Sequence, residues 1–159
     1  MKKLITTCLI LISCLFIQGN ENIKNFSQLP DTYDIKLSPN GEMIGVLREI
    51  NGERMLSIIN IDTKELIFNH RYVKKGEIGG FEWLSDERLL MSKITTFATR
   101  NSKFPTGELY AVNIEGKKEI ILTGRQAKRS SDTTKEDPKK PATLIDLLPE
   151  EPNKIMVQF

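Results

Sequence analysis

At 159 residues, with 39% hydrophobic, 28% charged and 7% aromatic side chains, the chain has the composition of an ordinary folded domain, which excludes global disorder. A formal net charge of +2 gives no electrostatic argument for a nucleic-acid partner. One histidine and two cysteines leave little material for a metal centre.

Met1-Lys2-Lys3 is a basic start, and residues 4–17 form an apolar run too short to span a bilayer comfortably. With Gly19 as a small residue at the cleavage position, 1–19 reads as a secretory signal peptide, so the mature protein is expected in the periplasm or outside the cell. Two other readings stay open. Leu11-Ile12-Ser13-Cys14 has the form of a lipobox, and acylation of Cys14 would tether the chain to a membrane, although Leu15-Phe16-Ile17 continues the apolar run past the cysteine. An uncleaved anchor is the third. Cleavage near Gly19 removes Cys8 and Cys14, so no disulfide or thiolate site remains. It also removes Lys2 and Lys3, and the basic count falls from 23 to 21, equal to the 21 acidic residues.

Residues 20–32 are a polar lead-in in which Ile23 and Phe26 are the apolar positions; Asn25-Phe26-Ser27 fits a glycosylation sequon, a weak signal. Alternation then begins. Residues 33–37 read as a half-buried strand, Pro39-Asn40-Gly41-Glu42 as a turn and 43–50 as a second strand. Asn51-Gly52 is a strong hairpin signal, because both residues tolerate the positive φ of a type I′ turn. Strands over 55–61 and 65–72 complete a four-stranded meander. A second meander is expected from strands over 80–84, 88–96, 108–114 and 119–123, with a loop over 97–107 and a turn at Glu115-Gly116-Lys117. Residues 125–141 are polar, of mixed charge and without apolar period, and read as a mobile solvated loop.

These segments repeat. Ile35-Lys-Leu-Ser-Pro-Asn-Gly-Glu-Met-Ile-Gly-Val-Leu47 returns as Phe81-Glu-Trp-Leu-Ser-Asp-Glu-Arg-Leu-Leu-Met-Ser92, and starts again as Ile145-Asp-Leu-Leu-Pro-Glu-Glu-Pro-Asn-Lys-Ile-Met-Val157. Leu37 and Leu84 lie about 47 residues apart, in the range of propeller repeats whose unit is a four-stranded blade. The expected fold is therefore all-β: a partial β-propeller over 33–159, with one blade at 33–73, another at 78–124 and the start of a third at 142–159. A ring closes with about 4–8 blades, so the chain reads as the first part of a longer protein.

Candidate chemistry is sparse. No Gly-x-Ser-x-Gly elbow presents a nucleophile, and His70 falls at the end of an expected outer strand, where it reads as a partly exposed strand residue. Gly79-Gly80 lacks the spacing of a phosphate cradle and reads as a flexible lead into a strand. Phe81 and Trp83 read as core rather than as an aromatic binding surface. Arg125, Lys128, Arg129, Lys135, Lys139 and Lys140 are interleaved with Asp132, Glu136 and Asp137, the pattern of a solvated loop. No residue is assigned a catalytic, cofactor-binding or metal-ligating role.

Leu37-Ser-Pro-Asn-Gly-Glu, Trp83-Leu-Ser-Asp-Glu-Arg-Leu-Leu, Gly107-Glu-Leu-Tyr-Ala-Val-Asn-Ile-Glu-Gly116 and Asp146-Leu-Leu-Pro-Glu-Glu-Pro-Asn together resemble the N-terminal propeller of the prolyl oligopeptidase family of serine peptidases, especially its exported bacterial dipeptidyl and acylaminoacyl peptidase-like members. The resemblance covers roughly 33–159. It implies a ring that filters peptide access to a Ser-Asp-His α/β-hydrolase domain following in sequence; that domain, further blades and a peptide substrate would be the partners, with no nucleic acid, and a membrane only through Cys14. None of the family's catalytic positions lies in this chain. A periplasmic propeller of the kind found in the Tol envelope system, which binds protein partners and has no enzymatic activity, uses similar blade motifs and is the alternative.

Overall fold

The computed structural model describes residues 31–72, 76–97, 102–127, 137–151 and 154–159. The expected signal peptide, with Cys8, Cys14 and Gly19, lies outside them, as do Ile23 and Phe26.

Among the described residues, ten strands account for the regular structure: β1 (Thr32–Leu37), β2 (Met43–Ile50), β3 (Glu53–Asn60), β4 (Leu66–His70), β5 (Glu77–Ser85), β6 (Arg88–Phe97), β7 (Ser102–Asn113), β8 (Ile120–Ile121), β9 (Thr143–Asp146) and β10 (Met156–Gln158). All pairings are antiparallel. They make a four-stranded sheet in the order β1-β2-β3-β4, a second in the order β5-β6-β7-β8, and a two-stranded sheet of β9 and β10. No helix occurs among the described residues. The described residues are thus all-β, built from two sequential meanders and a hairpin.

Turn chemistry explains the first meander. Asn51 and Gly52 take φ of 54° and 82°, so Ile50 and Glu53 pair directly and β2 and β3 stay in register from end to end. At the β1–β2 turn the Gly41 amide donates to the Ser38 carbonyl at 2.9 Å, while the Ser38 hydroxyl accepts from the Met43 amide at 3.0 Å. Both bonds close the turn before the next strand starts.

The two large sheets pack face to face. Met43, Leu47, Leu56 and Ile58 from the first meet Ile78, Phe81, Trp83, Leu89, Met91, Tyr110 and Val112 from the second in one buried cluster. Phe81 and Trp83 are core, as the sequence implied. Each fully buried aliphatic side chain contributes about 1.5–3 kcal/mol relative to exposure. The sheets can approach this closely because Gly45 has no side chain: a Cβ there would lie 2.6 Å from Phe81 Cε2. A second buried set, Leu90, Leu109 and Ala111, lies outside that cluster. Leu90 and Leu109 line a cleft with Ala142 and Leu144, which places the β9 segment over the second sheet's other face.

Three expectations need correction. Strand β7 begins at Ser102, inside the span expected as a loop, because Ile94, Thr95 and Thr96 offer β-branched partners to Pro105, Phe104 and Lys103. Pro105 is accommodated beside the register shift between Ser92 and Ile94, where a strand tolerates proline. Gly79-Gly80 is part of β5, close-packed, since a Cβ on Gly79 would lie 2.5 Å from Ile94 Cγ2. His70 is buried at 4% relative exposure. Its register explains why: it pairs with Leu56, which faces the inter-sheet core.

The solvated loop expected over 125–141 lies partly outside the described residues, which omit 128–136. Its ends are tied together, with the Gly124 amide donating to the carbonyls of Pro138 at 2.8 Å and Lys140 at 3.2 Å, and Ala127 buried.

Candidate functional site

Along the seam between β1 and β5, side chains at matching positions of the two repeats touch each other. The Asn40 amide donates to Asp86 Oδ1 at 2.8 Å, and these two residues are 46 apart in the turns that close the β1–β2 and β5–β6 hairpins. Lys36 pairs with Glu82, again 46 residues on, and the Trp83 indole donates to the Lys36 carbonyl at 3.1 Å across a separation of 47. Lys36 also reaches Asp34 at 3.3 Å and lies 5.6 Å from the Phe81 ring centroid. Partial burial works to lower the Lys36 pKa, but the Glu82 hydrogen bond and the charges of Glu82 and Asp34 outweigh it, so the ammonium is held above the usual lysine range.

A cleft of about 430 Å³ opens beside this seam, between the second sheet and β9. One side carries Asp34, Lys36 and Glu82, and the far side carries Lys93 and Glu108, whose ion pair is 2.6 Å long with side chains only 13% and 15% exposed. Leu90, Leu109 and Leu144 form apolar wall between them. Apolar walls with a few fixed charges suit binding. Every charged group named here already has a partner, so the arrangement holds shape more than it activates a reactant.

The other end of the stack is also charged. Tyr33 donates its hydroxyl to Glu49 at 2.8 Å, and the Arg54 guanidinium lies 3.7 Å from the Tyr33 ring centroid. Lys103 reaches Glu77 at 2.7 Å and Glu49 at 3.4 Å. The Tyr33 hydrogen bond, with the Lys103 and Arg54 charges, holds the Glu49 carboxyl below its ordinary range. This network joins β1, β2 and β3 to β5 and β7.

His70 Nε2 lies 3.1 Å from the Ile114 carbonyl, and its ring meets Phe68 edge-on at 4.8 Å. Desolvation lowers its pKa, opposed only in part by that carbonyl. The nitrogen is spent on linking β4 to the second sheet, and among the described residues no serine is bonded to it. Gly79 and Gly80 cradle nothing: the Gly79 carbonyl accepts from Arg54 at 3.4 Å, and the Gly80 carbonyl from the Ser92 hydroxyl at 3.4 Å. Of the basic cluster, Lys128, Arg129 and Lys135 lie outside the described residues. Among those described, no group of three or more His, Cys, Asp or Glu side chains could hold a metal ion.

Sequence reasoning passed over Lys36, Glu82, Lys93 and Glu108. No local signal marked them, since Lys36–Glu82 joins the two sheets and Lys93–Glu108 joins two strands of one sheet. Comparison with protein-family models, with curated proteins and with solved structures gives no match.

Proposed function

We propose that this chain is the non-catalytic propeller portion of an exported serine peptidase of the prolyl oligopeptidase family, with 33–73 and 78–124 as successive blades, 142–159 opening a third, and 1–19 as the signal peptide. Its role is steric: a rigid ring with a narrow opening admits short or extended peptides to a hydrolase domain and excludes folded proteins. The supporting observation is the seam at β1 and β5, where Asn40 meets Asp86 and Lys36 meets Glu82, each pair separated by one repeat. Contact between neighbouring repeats is the local requirement of a stack built by repetition. The sequence resemblance supplies the peptidase.

The test uses the whole gene product. We expect the reading frame beyond the codon for Phe159 to encode a Gly-x-Ser-x-Gly elbow followed by aspartate and histidine, and a fluorophosphonate probe to label that serine stoichiometrically. Residues 20–159 alone should not be labelled. Further blades ending without a hydrolase domain would replace this reading with the Tol-type binding propeller, and labelling of a serine within 20–159 would refute both.

A further inference from the structure

A second cleft, of about 310 Å³, lies between the end of β4 and the β7–β8 hairpin, separate in chemistry from the seam. Its wall is aromatic. Tyr72 and Tyr110 meet edge to face at 4.8 Å and 86°, and the Tyr110 hydroxyl is turned to Met91 Sδ at 3.6 Å, which fixes the ring. Half-buried Ile121 adds aliphatic surface. Burial raises the pKa of both phenols, with nearby carboxylate charge adding to it, so the wall stays neutral.

The charges around this wall fall into two kinds. Lys93 is committed, with its ammonium 4.8 Å from the Tyr72 centroid and 2.6 Å from Glu108. Arg71 and Glu119 are exposed and line the same cleft, yet neither forms a hydrogen bond or ion pair among the described residues, even with the other. A simple anion would satisfy Arg71 and face Glu119 unfavourably; a simple cation would do the reverse. Only a ligand carrying both charges answers both groups, and the aromatic and aliphatic wall asks that its remaining part be apolar.

We propose that this rim cleft binds a small zwitterion with an apolar side chain, of the class of a free amino acid, its carboxylate on Arg71 and its ammonium directed to Glu119. The guanidinium suits a carboxylate because its fork donates two parallel hydrogen bonds. This site does not depend on the peptidase reading.

The experiment is an amide-resolved NMR titration of the protein with L-phenylalanine, N-acetyl-L-phenylalanine and L-phenylalaninamide. We expect saturable shifts at Arg71, Tyr72 and Glu119 with the free amino acid, and about tenfold weaker binding after Arg71→Gln or Glu119→Gln. Both side chains are exposed, so the variants should keep the wild-type spectrum elsewhere. The acetylated probe, lacking the ammonium, should be indifferent to Glu119→Gln, and the amide, lacking the carboxylate, indifferent to Arg71→Gln. Absence of saturable shifts up to about 10 mM L-phenylalanine, about ten times the Kd of a ligand that binds at about 1 mM, would overturn the proposal. So would binding that neither substitution changes.

Discussion

His70 shows how one side chain ties the two sheets and makes their union sensitive to acid. Its folded pKa lies below the ordinary 6.5 because burial penalises the imidazolium. As the pH falls below about 6.5, the unfolded chain binds a proton that the folded chain resists, so stability is lost on acidification; above that value both states are neutral and this group contributes no slope. It is the sole histidine, and carboxylates titrate near 4, so the window between about pH 6.5 and pH 5 reports largely on it. Thermal midpoints measured across that window should fall with pH in the native sequence and stay flatter in His70→Gln. Equal slopes would show that His70 is not the titrating group. At the neighbouring scale of a single missing side chain, Gly45 sits where Phe81 needs room, a role that strand alternation in the sequence does not reveal.

The hairpins differ in what their glycines do. Gly52, at φ 82°, has open space where a Cβ would go, so Gly52→Ala should cost only the backbone strain of the left-handed region, about 1–2 kcal/mol. Gly116 shares that strain at φ 75°, but a Cβ there would also lie 2.5 Å from the Phe68 ring of the other sheet. Gly116→Ala should therefore cost more than Gly52→Ala in denaturant unfolding; the opposite order would mean that the β7–β8 turn does not press on β4. Much of this level was legible in the sequence. Local turn chemistry at Asn51-Gly52 and Glu115-Gly116-Lys117, and alternation over 43–50, marked the strands and hairpins because those signals act between near neighbours. The early start of β7 was hidden by Pro105 and Gly107, residues that read as loop until the register shift beside Ile94 is seen. His70 was misplaced for a related reason: its depth depends on Ile114, 44 residues away, and no local pattern carries that distance. The ion pairs Lys36–Glu82 and Lys93–Glu108 were equally silent, since each joins strands whose stacking or register must be known first.

At the scale of the whole molecule, the first sheet presents an apolar face away from the core. Register aligns Leu37, Ile44, Ile59 and Leu66 in one row across its four strands, with Ile35 opposite Val46 beside it. Ile35, Leu37 and Leu66 are more than half exposed, at 56%, 59% and 53%. On the β9–β10 hairpin and its flank, Ile145 and Met156 are exposed as well. Contiguous aliphatic surface of this kind marks a contact site, and neighbouring blades are the contact our functional proposal supplies. The measurement that tests this most directly is sedimentation velocity on residues 20–159 over a range of concentrations, beside the double variant Leu37→Thr, Ile59→Thr. Our account predicts concentration-dependent self-association of the native sequence, relieved towards monomer in the variant; a native chain that stays monomeric at high concentration and unfolds cooperatively would contradict it, and would identify the stacked sheets as a self-sufficient domain.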